Sequence, residues 1–206
     1  MAQRTLACTG CHGPQGKSGP DGYYPRLAGK PAGYLYNQLR NFQEGRRHYA
    51  LMEGLLSTLS DAYLKSIAAY FSALEVPYAP AAPQSATRAL LTRGETLVRK
   101  GDAALQLPAC VQCHGVALTG VQPSTPGLVG LPRDYLNAQL GGWQTGQREA
   151  GTPDCMATIA RRLSDADVHA VTSWLASQTV PMPSNPAAHR PPASTGTLSM
   201  ECGSAP

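Results

Sequence analysis

Apolar side chains recur along this chain at three- and four-residue spacings, and in four places the stripe is long enough to predict an amphipathic helix. Over 32–45 the stripe is Leu35, Leu39 and Phe42, and over 133–145 it is Leu136, Leu140 and Trp143. A third helix opens behind Ser60, a good N-cap, runs through Leu64, Ile67, Phe71 and Leu74, and stops at Pro77. In the fourth, Ser164-Asp165-Ala166-Asp167 resembles a capping box, and Val168, Val171 and Leu175 continue the stripe. Arg93 to Lys100 is a further helical stretch. The segment from Val76 to Pro83 is spaced by prolines and reads as an extended, stiff linker. After Val180 the chain is rich in Pro, Ser and Ala without periodicity, so the tail should be loosely structured unless something pins it. The pattern predicts an all-α fold.

The helices come in two matched sets. Leu27-Ala28-Gly29-Lys30-Pro31 answers Leu128-Val129-Gly130-Leu131-Pro132. Tyr34-Leu35, Gln38-Leu39 and Gly45 answer Tyr135-Leu136, Gln139-Leu140 and Gly146. The register then slips by three residues, after which Met52 matches Met156 and Leu59-Ser60-Asp61-Ala62 matches Leu163-Ser164-Asp165-Ala166. The extra residues fall around Glu149 to Asp154, in a loop, where added length costs little. Two homologous domains follow, at 1–75 and 88–180, with a linker at 76–87 and an irregular tail at 181–206. Only a few residues precede the first domain's leading motif, so its front end looks truncated beside the second.

Composition explains how such small domains could hold together. Hydrophobic residues make up 42% of the chain and aromatic residues 6%, while Gly and Pro number 21 and 18, so each domain is largely loop and needs apolar mass from elsewhere. The cysteines suggest its source. Cys8-Thr9-Gly10-Cys11-His12 and Cys110-Val111-Gln112-Cys113-His114 both read C-x-x-C-H, the attachment signature of c-type haem. Two intervening residues let one helical turn present both sulfurs to one porphyrin edge, and the next residue carries an imidazole to the iron. Zinc ribbons place their Cys pairs roughly 15–20 residues apart; here the pairs are about a hundred apart and each has its own His. Two covalent haems are therefore expected.

Two cysteines remain. Cys155 precedes Met156 and Cys202 lies near the C-terminus; in an oxidising compartment such a leftover pair favours a disulfide. A net charge of +4 would be offset by haem propionates. Arg40, Arg46, Arg47, Arg148, Arg161 and Arg162 could neutralise those groups or form a docking surface, and otherwise are solvated. No motif suggests nucleic acid, a phosphate loop or a hydrolytic triad. No apolar run approaches the roughly 18 residues of a membrane helix, and Met1 to Arg4 contain no signal-peptide core.

The two haem motifs, the paired segments Pro25 to Gly29 and Pro126 to Gly130, the Tyr-Leu-x-x-Gln-Leu helices and a Met ahead of Leu-Ser-Asp together resemble the dihaem class I c-type cytochromes of the cytochrome c4 type. The likeness covers about residues 5 to 178. It implies two tandem class I domains, each a small helical bundle around one haem and facing each other by their propionate edges. It also implies a sixth ligand from methionine: Met52 is the one methionine between His12 and the linker, and among Met156, Met182 and Met200 only Met156 occupies the matching place. The Pro25 and Pro126 carbonyls are expected to accept the Nδ1 hydrogen bonds of His12 and His114. His48 has no counterpart in the second repeat and reads as a surface or propionate-side residue; His169 and His189 should face solvent.

Iron held by His and Met leaves no position for substrate, so the resemblance implies a periplasmic one-electron carrier. Its donor would be a quinol-oxidising complex or a dehydrogenase, and its acceptor a terminal oxidase such as cytochrome oxidase, or a reductase. The carrier would be a monomer or a subunit of a redox complex, able to dock on a membrane complex. The alternative is a haem enzyme of the thiosulfate dehydrogenase type, with Cys155 as a non-Met ligand in one domain.

Overall fold

The computed structural model describes residues 1–19, 22–80, 85–192 and 200–204. In the first half, a 3₁₀ turn at Ala2–Thr5 leads into α1 (Leu6–His12), followed by α2 (Ala32–Gln43), α3 (Ala50–Leu56) and α4 (Asp61–Ser72). The second half repeats the order as α6 (Cys110–His114), α7 (Arg133–Thr145), α8 (Cys155–Arg162) and α9 (Asp165–Ser177), preceded by α5 (Arg88–Lys100). A two-residue hairpin, β1 (Gly120–Val121) with antiparallel β2 (Thr125–Pro126), follows α6. No helix among the described residues is long and apolar enough to cross a membrane.

The expected N-caps form. Ser60 Oγ accepts from the Tyr63 amide, and Ser164 Oγ accepts from the Asp167 amide at 3.1 Å while donating to the Asp167 carboxylate at 2.9 Å. In the first domain Leu35, Ile67, Ala68 and Phe71 form one core cluster, and Phe42, Leu56 and Leu64 another. The second domain has a larger core, running from Leu97 and Val98 through Leu136 to Val171 and Trp174. The difference lies in α5, which crosses α9 so closely that a Cβ at Gly94 would stand 2.2 Å from the Ala170 carbonyl oxygen. That crossing buries Ala170 and Ser173, whose repeat counterparts on α4, Ser66 and Ala69, are exposed.

Three features add detail to the sequence reading. Met52 and Met156 sit on the short helices α3 and α8. The tail is pinned in two places: Ala187 bridges to Val121 beside the hairpin, and the expected disulfide joins Cys202 to Cys155. The start of the linker is also held, because the buried Arg26 guanidinium donates to the Val76 and Pro77 carbonyls and stacks 3.9 Å from the Tyr78 ring centroid. Of the expected linker, residues 81–84 lie outside the described ones.

The two domains meet through a near-symmetric clasp built from α2, α7 and the segments after them. Arg47 and Arg148 pair as an antiparallel bridge, the His48 amide donates to the Gln147 carbonyl at 3.0 Å, and the Glu149 amide donates to the Arg46 carbonyl. Arg47 donates to Gln38 Oε1 at 2.9 Å and across the interface to Gln139 Oε1 at 2.8 Å. Arg148 returns the pattern, to Gln139 Oε1 at 2.5 Å and to Gln38 Oε1 at 3.0 Å. Each guanidinium also stacks on an aromatic ring of its own domain, Arg47 on Phe42 and Arg148 on Trp143, which orients the fork without a carboxylate.

Candidate haem sites

Each C-x-x-C-H segment is a single short helix ended by a glycine with positive φ, Gly13 at 75° and Gly115 at 82°. At Gly13 a Cβ would approach the Ser18 carbonyl oxygen to 2.5 Å, so the sharp exit after His12 requires glycine. The two histidines are buried, and each Nδ1 lies 2.7 Å from a proline carbonyl oxygen, Pro25 for His12 and Pro126 for His114. A carbonyl can only accept, so Nδ1 carries the proton and Nε2 keeps its lone pair for a metal. Burial lowers the basicity of both rings and the carbonyl bonds partly restore it. Of the remaining charges, that of Arg47 acts on His12, and those of Arg190 and Lys30 act on His114.

In the second domain Cys110, Cys113, His114, Pro126 and Met156 all line one cavity. Burial pushes the Cys110 thiol up to about 12, so the group stays neutral, as suits a sulfur that becomes a thioether inside an apolar pocket. Met156 lies against Trp143, Ala157 and Ala160. Met200 reaches the same cavity, whereas Met182 is 84% exposed. In the first domain His12 meets Pro25 and, edge-on at 5.9 Å, Tyr24; Cys8 packs on the Leu35 and Phe71 cluster, and Met52 on Phe42 and Leu64. His48, His169 and His189 are exposed, and His48 faces Glu53. Cys155 is bonded to Cys202 and so offers no thiolate in this structure.

The donor set fits a covalent haem. One wall of the second cavity bears Ser124, whose buried hydroxyl has no hydrogen-bond partner among the described residues, and the cations Lys30, Arg148 and Arg190 line it too. Among the described residues no Asp or Glu forms an ion pair with Arg47, Arg148 or Lys30. The uncompensated charge is strong enough to pull the half-buried Tyr34 hydroxyl down to about 8 despite its desolvation, through Arg148, Lys30 and Arg47. Such a cluster suits anions, and haem propionates would supply them.

Comparison with known proteins agrees. The family model for cytochrome c matches residues 3–74 and again 92–179. The chain belongs to the cytochrome c family. It is a dihaem member of the cytochrome c4 type, with two covalently bound haem c groups in tandem domains. This cytochrome is 41% identical to the "Thiosulfate dehydrogenase electron acceptor" of Thiomonas intermedia (strain K12), over 84% of this chain and 78% of that one. Its fold superimposes on reduced recombinant cytochrome c4 from Pseudomonas stutzeri with a TM-score of 0.71 and 32% identity, covering 86% of this chain and 96% of the other. It also matches a thiosulfate dehydrogenase from Marichromatium purpuratum in its as-isolated form, with a TM-score of 0.76, 31% identity and 87% of this chain covered; the match spans 39% of that chain.

Several working residues carry no motif of their own. Gln43 Nε2 ties α2 to the Leu56 and Leu59 carbonyls, and Gln144 Nε2 makes the same pair of bonds to Ala160 and Leu163. Gln38, Gln139, Arg47 and Arg148 do stand out in the sequence, as repeat-motif residues and candidate cations, but their role in an interdomain clasp does not. Their signal in the sequence is polar identity at matched repeat positions on otherwise amphipathic helices. Lys30, opposite Leu131, gives no such signal.

Proposed function

We propose that this cytochrome is a periplasmic one-electron carrier that takes electrons from a thiosulfate dehydrogenase and passes them to the respiratory chain. In this reading His12 and Met52 ligate the first iron and His114 and Met156 the second. Haem, when bound, would supply the reversible ferric and ferrous states; the protein's own residues would hold the His12 and His114 imidazoles, exclude water and fix the two domains against each other. The Arg47 and Arg148 clasp holds the domains in one relative orientation, which suits electron exchange between the two groups. The relative named as an electron acceptor, at 41% identity, supports the choice of donor.

The observation that carries a carrier rather than a catalyst is the Cys155 to Cys202 bond beside Met156. It leaves a thioether, not a thiolate, as the sulfur ligand available on α8, and so favours two saturated, outer-sphere irons. The catalytic alternative requires that bond to open. Stopped-flow mixing of the oxidised protein with a thiosulfate dehydrogenase and thiosulfate tests the proposal. Reduction of both haems, dependent on the dehydrogenase, is expected. Thiosulfate oxidation by this chain alone, with an artificial acceptor, would overturn it in favour of the catalytic reading.

A further inference from the structure

Lys30 is 6% exposed, yet among the described residues its ammonium group makes no hydrogen bond or ion pair, and it stands 5.7 Å from the Tyr34 ring centroid. Burying a lysine this way is costly unless an anion meets it. Its surroundings make matters worse, because after desolvation the charges of Arg26, Arg148 and Arg47 press in the same direction, against partial relief from Tyr34. Although Lys30 belongs to the first domain, it lines the cavity that contains His114, as does Ser124, whose buried hydroxyl has no partner among the described residues. The backbone brings it there: the Gly33 amide, at the start of α2, donates to the Pro123 carbonyl at 3.0 Å, and a Cβ at Gly33 would stand 2.7 Å from that oxygen. The repeat counterpart, Leu131, carries no charge, so the arrangement has no mirror image on the first site.

We infer that Lys30 of the first domain, together with the Ser124 hydroxyl, grips a propionate of the haem attached at Cys110 and Cys113, so that one domain sets the reduction potential of the other's haem. A fixed positive charge near a haem favours the ferrous over the ferric state, and its influence is large where burial keeps the local dielectric low. The second haem therefore gains an electron-holding bias from a residue that only the docked domain pair delivers. The inference rests on the presence of two haems and not on the identity of the redox partner.

Potentiometric titration of the intact dihaem protein tests it, with the haem methyl signals in paramagnetic NMR assigning each step to a domain. In Lys30→Met the haem of the second domain should show a several-fold higher ferric-to-ferrous ratio at a fixed solution potential, with the first haem unchanged. Lys30→Arg should restore the wild-type value. Ser124→Ala should give a smaller shift of the same haem in the same direction. Should Lys30→Met fail to fold, Lys30→Gln keeps a hydrogen-bond donor and removes the charge, and is read in the same way. Unchanged potentials, or a shift confined to the first haem, would overturn the inference. Intact-mass measurement of haem content stands apart: fewer than two haems in the wild type would sink the dihaem reading itself.

Discussion

At the scale of single residues, each site joins a strong local rule to a few side chains chosen by tertiary position. The C-x-x-C-H turn dictates where both thiols and the imidazole stand, and the proline carbonyls fix the tautomer at 2.7 Å in both domains. The methionines are the sharper test of the ligand assignment. Replacing Met52 or Met156 by Ala should remove half of the long-wavelength absorption that methionine ligation gives ferric haem, and should lower the potential of one haem only. Retention of the full band in Met156→Ala would transfer the role to Met200, which shares the cavity. Gln43 and Gln144 make a second residue-level prediction. Each amide satisfies two carbonyls that close the turn after the methionine helix, so Gln43→Leu or Gln144→Leu should destabilise its own domain by about 1–3 kcal/mol in calorimetry. Lys30 shows where residue-level reading from the sequence stops, since its burial is produced by the partner domain and nothing within its own segment announces it.

Among the elements, α5 and α9 decide the stability of the second domain. Gly94 allows their backbones to touch, so Gly94→Ala should overpack the crossing and cost about 1–3 kcal/mol, read as a lower unfolding midpoint of the second domain alone. Arg93 on α5 binds Asp167 of α9 at 2.7 Å and Asp102 at 3.0 Å. Its guanidinium holds the Asp167 carboxyl below the usual carboxylate range. A depressed folded-state value means the contribution is present above the unfolded value of about 3.9 and is lost as pH falls through the lower one. Asp167→Asn should therefore flatten the acid end of the stability profile, below about pH 4. The change should be only about 1 kcal/mol because Arg93 is partly open to water. The elements themselves were legible in proportion to their length. α2, α4, α7 and α9 span 12 or 13 residues and show their stripes in the sequence. α3 has seven residues and α8 eight, too short for a repeating pattern, and the hairpin strands have two each.

On the scale of the whole molecule, the two repeats are alike in construction and unequal in cover. The tail returns from the end of α9, adds Ala187 beside Val121, and then closes over the α8 side, where the Gly203 amide donates to the Pro153 carbonyl at 2.9 Å. From there it reaches the first domain, since Asn37 Nδ2 donates to the Ser204 carbonyl at 3.0 Å. In the first repeat the residues matching Cys155 and Ile159 are Leu51 and Leu55, which are 65% and 41% exposed, so the same helix face is bare there. The pairing of Cys155 with Cys202 was legible from cysteine count alone; the tail's path was not, because the contacts that set it join residues far apart, Gly151 with Ser204 and Asn37 with Ser204 among them. The 47-residue separation of the two cysteines corresponds, in the chain-entropy account, to about 4 kcal/mol of stabilisation before strain is deducted. Cys155→Ser with Cys202→Ser should accordingly lower the unfolding midpoint of the second domain and leave the first nearly unchanged. The freed tail should also admit water to the Met156 side of the cavity, lowering the second haem's potential and weakening its methionine band. If the double variant loses stability while potential and band hold steady, the disulfide is a brace for the fold alone and the tail plays no part in keeping the thioether in place.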